Sequence, residues 1–140
     1  MSVDDVPVEE TWARLQSDNA AVLIDVRTKA EWTFVGVPDL SAAGRQVVTL
    51  EWQSQDGRVD PAFTDRLSGY LEQAGKGKDT QLFFICRSGA RSRAAAEAMA
   101  EAGYGSCHNV AEGFEGPPDS NRHRGKVAGW KAAGLPWMQG

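Results

Sequence analysis

Cys86-Arg87-Ser88-Gly89-Ala90-Arg91, followed by Ser92, is the stretch of this chain whose residue types and spacing could do chemistry. A free thiol has a pKa of about 8.5, and a helix N-terminus with neighbouring arginines lowers it by several units. Cys86 has both influences at hand. A loop curled around the sulfur would direct the amides of Ser88 through Ser92 towards an anion, with Gly89 supplying conformations that a Cβ hinders. Arg87 and Arg91 add planar donor forks suited to an oxyanion such as a sulfonate. The competing reading is a small core cysteine at the end of an apolar strand. Such a cysteine has no use for two arginines and a glycine in the next five positions, which favours a nucleophilic thiolate beside an anion site.

Two elements must hold that loop. Gln81-Leu-Phe-Phe-Ile85 is an apolar run rich in β-formers and reads as a buried strand, and the alanine-rich run after the loop reads as a helix stopping at Gly103. The cysteine then sits at the carboxyl end of a strand, where open α/β sheets bind ligands. Small side chains at Ala94, Ala95, Ala98 and Ala102 are expected to bring the helix close to the sheet, with Met99 filling the gap.

The remaining chain alternates in the same way. Val8, Trp12 and Leu15 fall at helical spacing after Pro7, with Trp12 expected in the core, and Ala21 to Val26 is a continuous apolar run of the kind buried on both faces of a parallel sheet. Gln46 to Leu50 reads as a strand. Asp60-Pro61 supplies a cap and first-turn proline for a helix with Phe63, Leu67, Tyr70, Leu71 and Ala74 on its apolar face. Ser106 to Val110 reads as the last strand, which makes Cys107 a core residue and turns His108 to the opposite face. Gly113 to Gly125 is loop-like, Gly125 to Gly134 is expected to form a short helix, and Leu135-Pro136-Trp137 a docked tail. Arg27 and Glu31 are four apart, the spacing of a helical ion pair.

These segments together resemble the rhodanese family of sulfurtransferases. The resemblance is carried by the Cys86 to Arg91 loop, by Leu23-Ile-Asp25-Val-Arg27 followed by Glu31-Trp32, and by Gly129-Trp-Lys-Ala-Ala-Gly-Leu-Pro136-Trp137. It implies an α/β fold of rhodanese-like type, a central parallel β-sheet with helices on both faces, filling residues 1–140 as one domain. It implies that Cys86 accepts a sulfane sulfur from a small anionic donor such as thiosulfate and passes it to a thiol, cyanide or sulfur-carrier acceptor. Arg87, Ser88, Gly89, Ala90, Arg91 and Ser92 would form the substrate-binding loop. Asp25, Arg27 and Glu31 take architectural roles by the same resemblance. In place of the family's Gly-His-Ile-Pro-Gly-Ala-like turn stands Gly36-Val37-Pro38-Asp39-Leu40, without the histidine. Related single-domain proteins bring the turn after the last strand close to the reactive loop, which would put Phe114, Arg122 or His123 at the entrance. Cysteine phosphatases place their arginine one position later, where this chain has Ser92, so an oxyanion enzyme ranks below sulfur transfer. A persulfide carrier or sulfur sensor without turnover is the second expectation.

The whole chain sets bounds on these readings. Its 140 residues and 41% apolar content suffice for one core, while the net charge of −4 disfavours nucleic-acid or anionic-membrane partners. Arg122, Arg124 and Lys126 form a later basic cluster, either a solvated loop or part of a positive mouth. The first residues carry no basic and apolar leader pattern and no segment approaches a membrane span, so a cytoplasmic location with reduced cysteines is expected. Two cysteines and two histidines at these separations do not make a zinc motif, and neither a metal nor another cofactor is expected.

Overall fold

A computed structural model describes residues 3–139; Met1, Ser2 and Gly140, which the sequence reading included in its span, lie outside the described residues. In chain order the elements are β1 (Asp4–Val6), α1 (Val8–Ser17), β2 (Val22–Asp25), α2 (Lys29–Phe34), β3 (Val37–Pro38), β4 (Val48–Thr49), α3 (Phe63–Gln73), β5 (Leu82–Ile85), α4 (Ala90–Glu101), β6 (Cys107–Val110) and β7 (Trp137–Met138). Five strands form one sheet in the order β1-β6-β5-β2-β4, all parallel. The expected α/β architecture is what the chain adopts.

Period-two alternation divides the sheet's apolar side chains between two cores. Val22, Ile24, Leu82 and Phe84 face Phe63, Leu67 and Leu71 of α3 and Ala95, Ala96 and Met99 of α4. Leu23, Phe83, Ile85 and Val110 face the opposite layer, built from α1 and from Phe114 and Trp130 of the C-terminal segment. Cys86 continues the Leu82–Phe84 parity and so falls on the α4 side. His108, on the other parity from Cys107, stacks on Phe83 with ring centroids 5.0 Å apart.

Several local expectations shift. The first helix carries Trp12 half-buried, meeting Trp130 edge-on at 5.9 Å. Asp60 caps a turn by accepting from the Ala62 amide at 2.9 Å, and α3 begins only at Phe63; Tyr70 and Ala74 lie outside its buried stripe. In α4 the close approach to the sheet is made by Ala95, Ala96 and Ala100, while Ala94 and Ala98 are half-buried and Ala102 is exposed. The stripe is rotated because Ser92 and Met99 also face inward.

The short helix expected over 125–134 is a run of turns instead. Three of its amides are directed to other segments, Gly125 donating to Glu115 at 2.6 Å, Trp130 to Gly113 at 2.9 Å and Lys131 to Phe114 at 3.1 Å, while Ala133 makes a single i to i−4 bond to Gly129 at 3.0 Å. Backbone donors used in this way cannot build an i to i−4 ladder. The tail does dock, as β7 pairs antiparallel with β3 and Trp130 Nε1 donates to the Pro136 carbonyl at 2.6 Å. Among the described residues, no helix is long and apolar enough to cross a membrane.

Ala95 has no free space on the sheet side. Ala95→Leu is expected to cost about 1–3 kcal/mol in denaturant unfolding, and the half-buried Ala98→Leu clearly less.

Candidate active site

The strand β5 runs out at Ile85, and the chain turns through Cys86 to Gly89 into α4. Gly89 has φ of +118°, a left-handed conformation that other residues adopt at a cost, and it stands just before the first helical residue. That turn directs the Gly89 amide at Cys86 Sγ, a donation of 3.1 Å. The Ser92 hydroxyl lies 3.2 Å from the same sulfur. Among the described residues these are the polar groups in hydrogen-bonding reach of Sγ; the other amides of the expected ring do not close on it. Ser88 and Ala90 expose their side chains at the loop tip, and Cys86 itself is 1% exposed.

A second backbone segment braces the loop from behind. The amide of Phe114 donates to the Cys86 carbonyl at 2.8 Å, and those of Glu115 and Gly116 to the Arg87 carbonyl at 3.0 and 3.1 Å. Contact this close requires glycine at 113, where a Cβ would stand 2.5 Å from the Cys86 oxygen and 2.6 Å from the Arg87 oxygen. Phe114 is therefore buried rather than at the entrance, and Arg122 and His123 are exposed away from it. The residue that the later basic cluster contributes is Arg124, whose Nη1 donates to the Gly116 carbonyl at 2.7 Å.

Charged side chains pair in a different pattern from the helical spacing. Arg27 takes Asp25, both fully buried, through Nε to Oδ1 at 3.0 Å and Nη2 to Oδ2 at 2.7 Å. Its Nη2 also reaches the Gly36 carbonyl at 2.6 Å, and its guanidinium lies 4.3 Å over the Phe114 ring. Glu31 is left to pair with Arg91, through both carboxylate oxygens at 2.8 and 3.0 Å. Glu31 also closes a capping box with Thr28 at the start of α2, accepting from the Thr28 amide at 3.1 Å. Burial opposes ionisation of Glu31, but the Arg91 donors, the Thr28 amide and the charges of Arg91 and Arg27 outweigh it and hold the carboxyl at about 2 instead of 4.5. The same carboxylate raises the pKa of Arg91, with a smaller contribution from Cys86.

Against this loop lies an open cavity of about 620 Å³, lined among others by Thr28, Glu31, Phe34, Arg87, Arg91 and Arg124. Arg87 is exposed at its edge, and Phe34 is 76% exposed. The arrangement can present an anion to a buried sulfur through guanidinium groups on one side. Cys107 stands apart: it pairs with Leu82, four residues before Cys86, or about 13 Å away along the strands. Burial pushes its thiol up to about 11, in keeping with a core residue. No group of three or more His, Cys, Asp or Glu among the described residues is placed to hold a metal ion.

Ser92 was legible as part of the loop, but Asn109 was not; it lies against the Ser92 hydroxyl at 2.5 Å, a contact between residues 17 apart that leaves no local pattern. Glu31 was visible only as a partner for Arg27, since a contact 60 residues away leaves no local periodicity.

Known proteins share this architecture. A family model described as the STR4 middle domain matches residues 4–140. An uncharacterised protein of Rickettsia conorii is 36% identical over 138 residues, covering 99% of both chains. A chloroplastic rhodanese-like domain-containing protein 4 of Arabidopsis thaliana is 26% identical over 94% of this chain and 25% of its own length. The crystal structure of Rv0390 from M. tuberculosis superposes with a TM-score of 0.85 at 44% identity, covering both chains fully. The polysulfide-sulfur transferase homodimer of Wolinella succinogenes shares the fold, with a TM-score of 0.61 at 20% identity over 99% of this chain and 80% of that one.

The Glu31–Arg91 pair has a pH signature. Because the folded carboxyl titrates below its ordinary value, its contribution to stability is fully present above about 4.5 and is lost as pH falls towards about 2. Glu31→Gln, which keeps a capping-box residue, is expected to flatten that part of the stability profile in pH-dependent denaturant melts.

Proposed function

Because this chain belongs to the rhodanese-like family, we propose that it is a sulfurtransferase in which Cys86 carries a sulfane sulfur as a persulfide. One observation carries the reading: Cys86 Sγ lies at the carboxyl end of β5 with the Gly89 amide directed at it, in a loop that reaches Arg91 after only four intervening residues. The position where a phosphatase-type loop would supply its arginine is Ser92, buried beside the sulfur. That supports a cradle for sulfur over a wider one for phosphate.

In the first half-reaction the Cys86 thiolate attacks the outer sulfur of a small anionic donor such as thiosulfate. A Cys86 sulfur–sulfur bond forms, the donor's sulfur–sulfur bond breaks, and its electron pair leaves with sulfite. Donors aimed at the sulfur stabilise the charge there, and guanidinium groups receive the departing anion. The Glu31 pair fixes Arg91 and offsets much of its charge, so Arg87, exposed at the cavity, is the first of these receivers. Ser88, Gly89 and Ala90 bind through the loop backbone, and Ser92 through its hydroxyl. In the second half-reaction a thiol, cyanide or a sulfur-carrier protein takes the outer sulfur and returns the electron pair to Cys86. No cofactor, nucleic acid or membrane takes part in this scheme.

A carrier that transfers sulfur only within a complex is the second reading, and the near-complete burial of Cys86 is what favours it. Intact mass after incubation with thiosulfate is expected to rise by one sulfur on Cys86 and to revert with cyanide or a reductant. Cys86→Ser is expected to abolish both the mass change and turnover, and donor and acceptor kinetics to follow a double-displacement pattern. A mass gain without rapid cycling on a small acceptor would select the carrier; sulfur found elsewhere, or none, would remove the proposal.

A further inference from the structure

Behind Cys86 runs a chain of hydrogen bonds of which the reaction scheme uses only the first member, the Ser92 hydroxyl. The Ser92 hydroxyl, fully buried, has three acceptors in reach: Cys86 Sγ at 3.2 Å, the Gly89 carbonyl at 3.2 Å and Asn109 Oδ1 at 2.5 Å. It has one proton to give. Asn109, itself buried, donates through Nδ2 to Asp5 Oδ1 at 2.9 Å, and the same oxygen accepts from Arg93 Nη1 at 2.9 Å. Asp5 therefore decides which way the Asn109 amide points. A carboxylate accepts only, so turning Oδ1 towards it would set two acceptors face to face and leave Nδ2 without that partner. With Oδ1 fixed towards Ser92, the shortest of the three contacts takes the hydroxyl proton. The serine oxygen then shows the sulfur a lone pair, which complements an S–H donor and not a thiolate.

We propose that Asn109, aligned by Asp5, is a positioning residue that draws the Ser92 proton away from Cys86, so that the resting sulfur is held as the thiol until the hydroxyl turns. The Gly89 amide donates to the sulfur in either case, but the Ser92 proton reaches it only through that turn, which leaves the buried Asn109 oxygen without its donor. The other charged groups around the sulfur and the relay are the Asp25–Arg27 and Glu31–Arg91 pairs, Arg87 in the loop and Arg93 on α4. None of them bonds to the Ser92 hydroxyl among the described residues. The inference rests on Cys86 as the reactive sulfur, yet what it concerns is a proton and not sulfur transfer.

The ultraviolet thiolate band, followed over pH, reads this directly, because Cys107 is pushed up to about 11 and stays silent at lower pH. In Asp5→Ala the carboxylate that pins Nδ2 is gone, and solvent at this exposed position can both donate and accept. Asn109 can then turn, give Nδ2 to Ser92 and free the hydroxyl proton for the sulfur. The band is expected to appear about one pH unit lower, the worth of one ordinary hydrogen bond. Removing the Asp5 charge also acts through space, so the same substitution is made in a Ser92→Ala background, where only the through-space part survives. A larger shift with Ser92 present bears out the relay; equal shifts in the two backgrounds, or no shift with Ser92 present, overturn it. Failure of the protein to form a persulfide would leave this result standing.

Discussion

Three peptide hydrogen bonds from residues 114–116 to the carbonyls of Cys86 and Arg87 are the constraint on which the rest of the structure depends. They turn the reactive loop from a free connection between strand and helix into a clamped one. The Gly89 amide can then stay on the sulfur without help from a side-chain cap, which α4 lacks. The brace in turn requires Gly113 at the contact and hands its own carbonyls to Trp130 and Lys131. The C-terminal segment thus gives up helix geometry to serve as a second layer behind the site.

Charge is arranged around the same loop in two tiers. The inner tier is Asp25 with Arg27, which ties the end of β2 to the Gly36 turn and lies over Phe114, the first residue of the brace. A buried pair of this kind costs desolvation that its attraction offsets only with good geometry, and here both oxygens and two nitrogens are engaged. The outer tier is Glu31 with Arg91, largely buried at the edge of the cavity. It anchors α4 to α2 and keeps the guanidinium beside the loop at a fixed angle. The net effect is a site whose positive charge is placed by carboxylates and is not simply accumulated.

Much of this was readable in the sequence. The nearly continuous apolar runs at 22–25 and 82–85 became strands buried on both faces, Cys107–Val110 joined them as the third central strand, and the loop after Ile85 fell at the carboxyl edge that parallel topology requires. What the sequence hid has physical reasons. Asp4-Asp5-Val6 reads as polar, since an edge strand with one neighbour can leave its side chains in solvent. Val37-Pro38 pairs for only two residues. Arg27 stands two residues from Asp25 and four from Glu31; it takes Asp25, and Glu31 takes Arg91, contributed from α4. Asn109 looked like one polar residue in a strand; its use appears only when α4 and β1 bring Ser92 and Asp5 to its two ends.

That β1 is the margin of the sheet, yet lies along β6, has a bearing on how the molecule comes to be made. Synthesis delivers Asp4 to Val6 about a hundred residues before β6, their neighbour in the sheet among the described residues. Until β6 emerges β1 waits without a mate, and their pairing joins stretches far apart in the chain, the kind of closure that sets the pace of assembly in chains rich in non-local contacts.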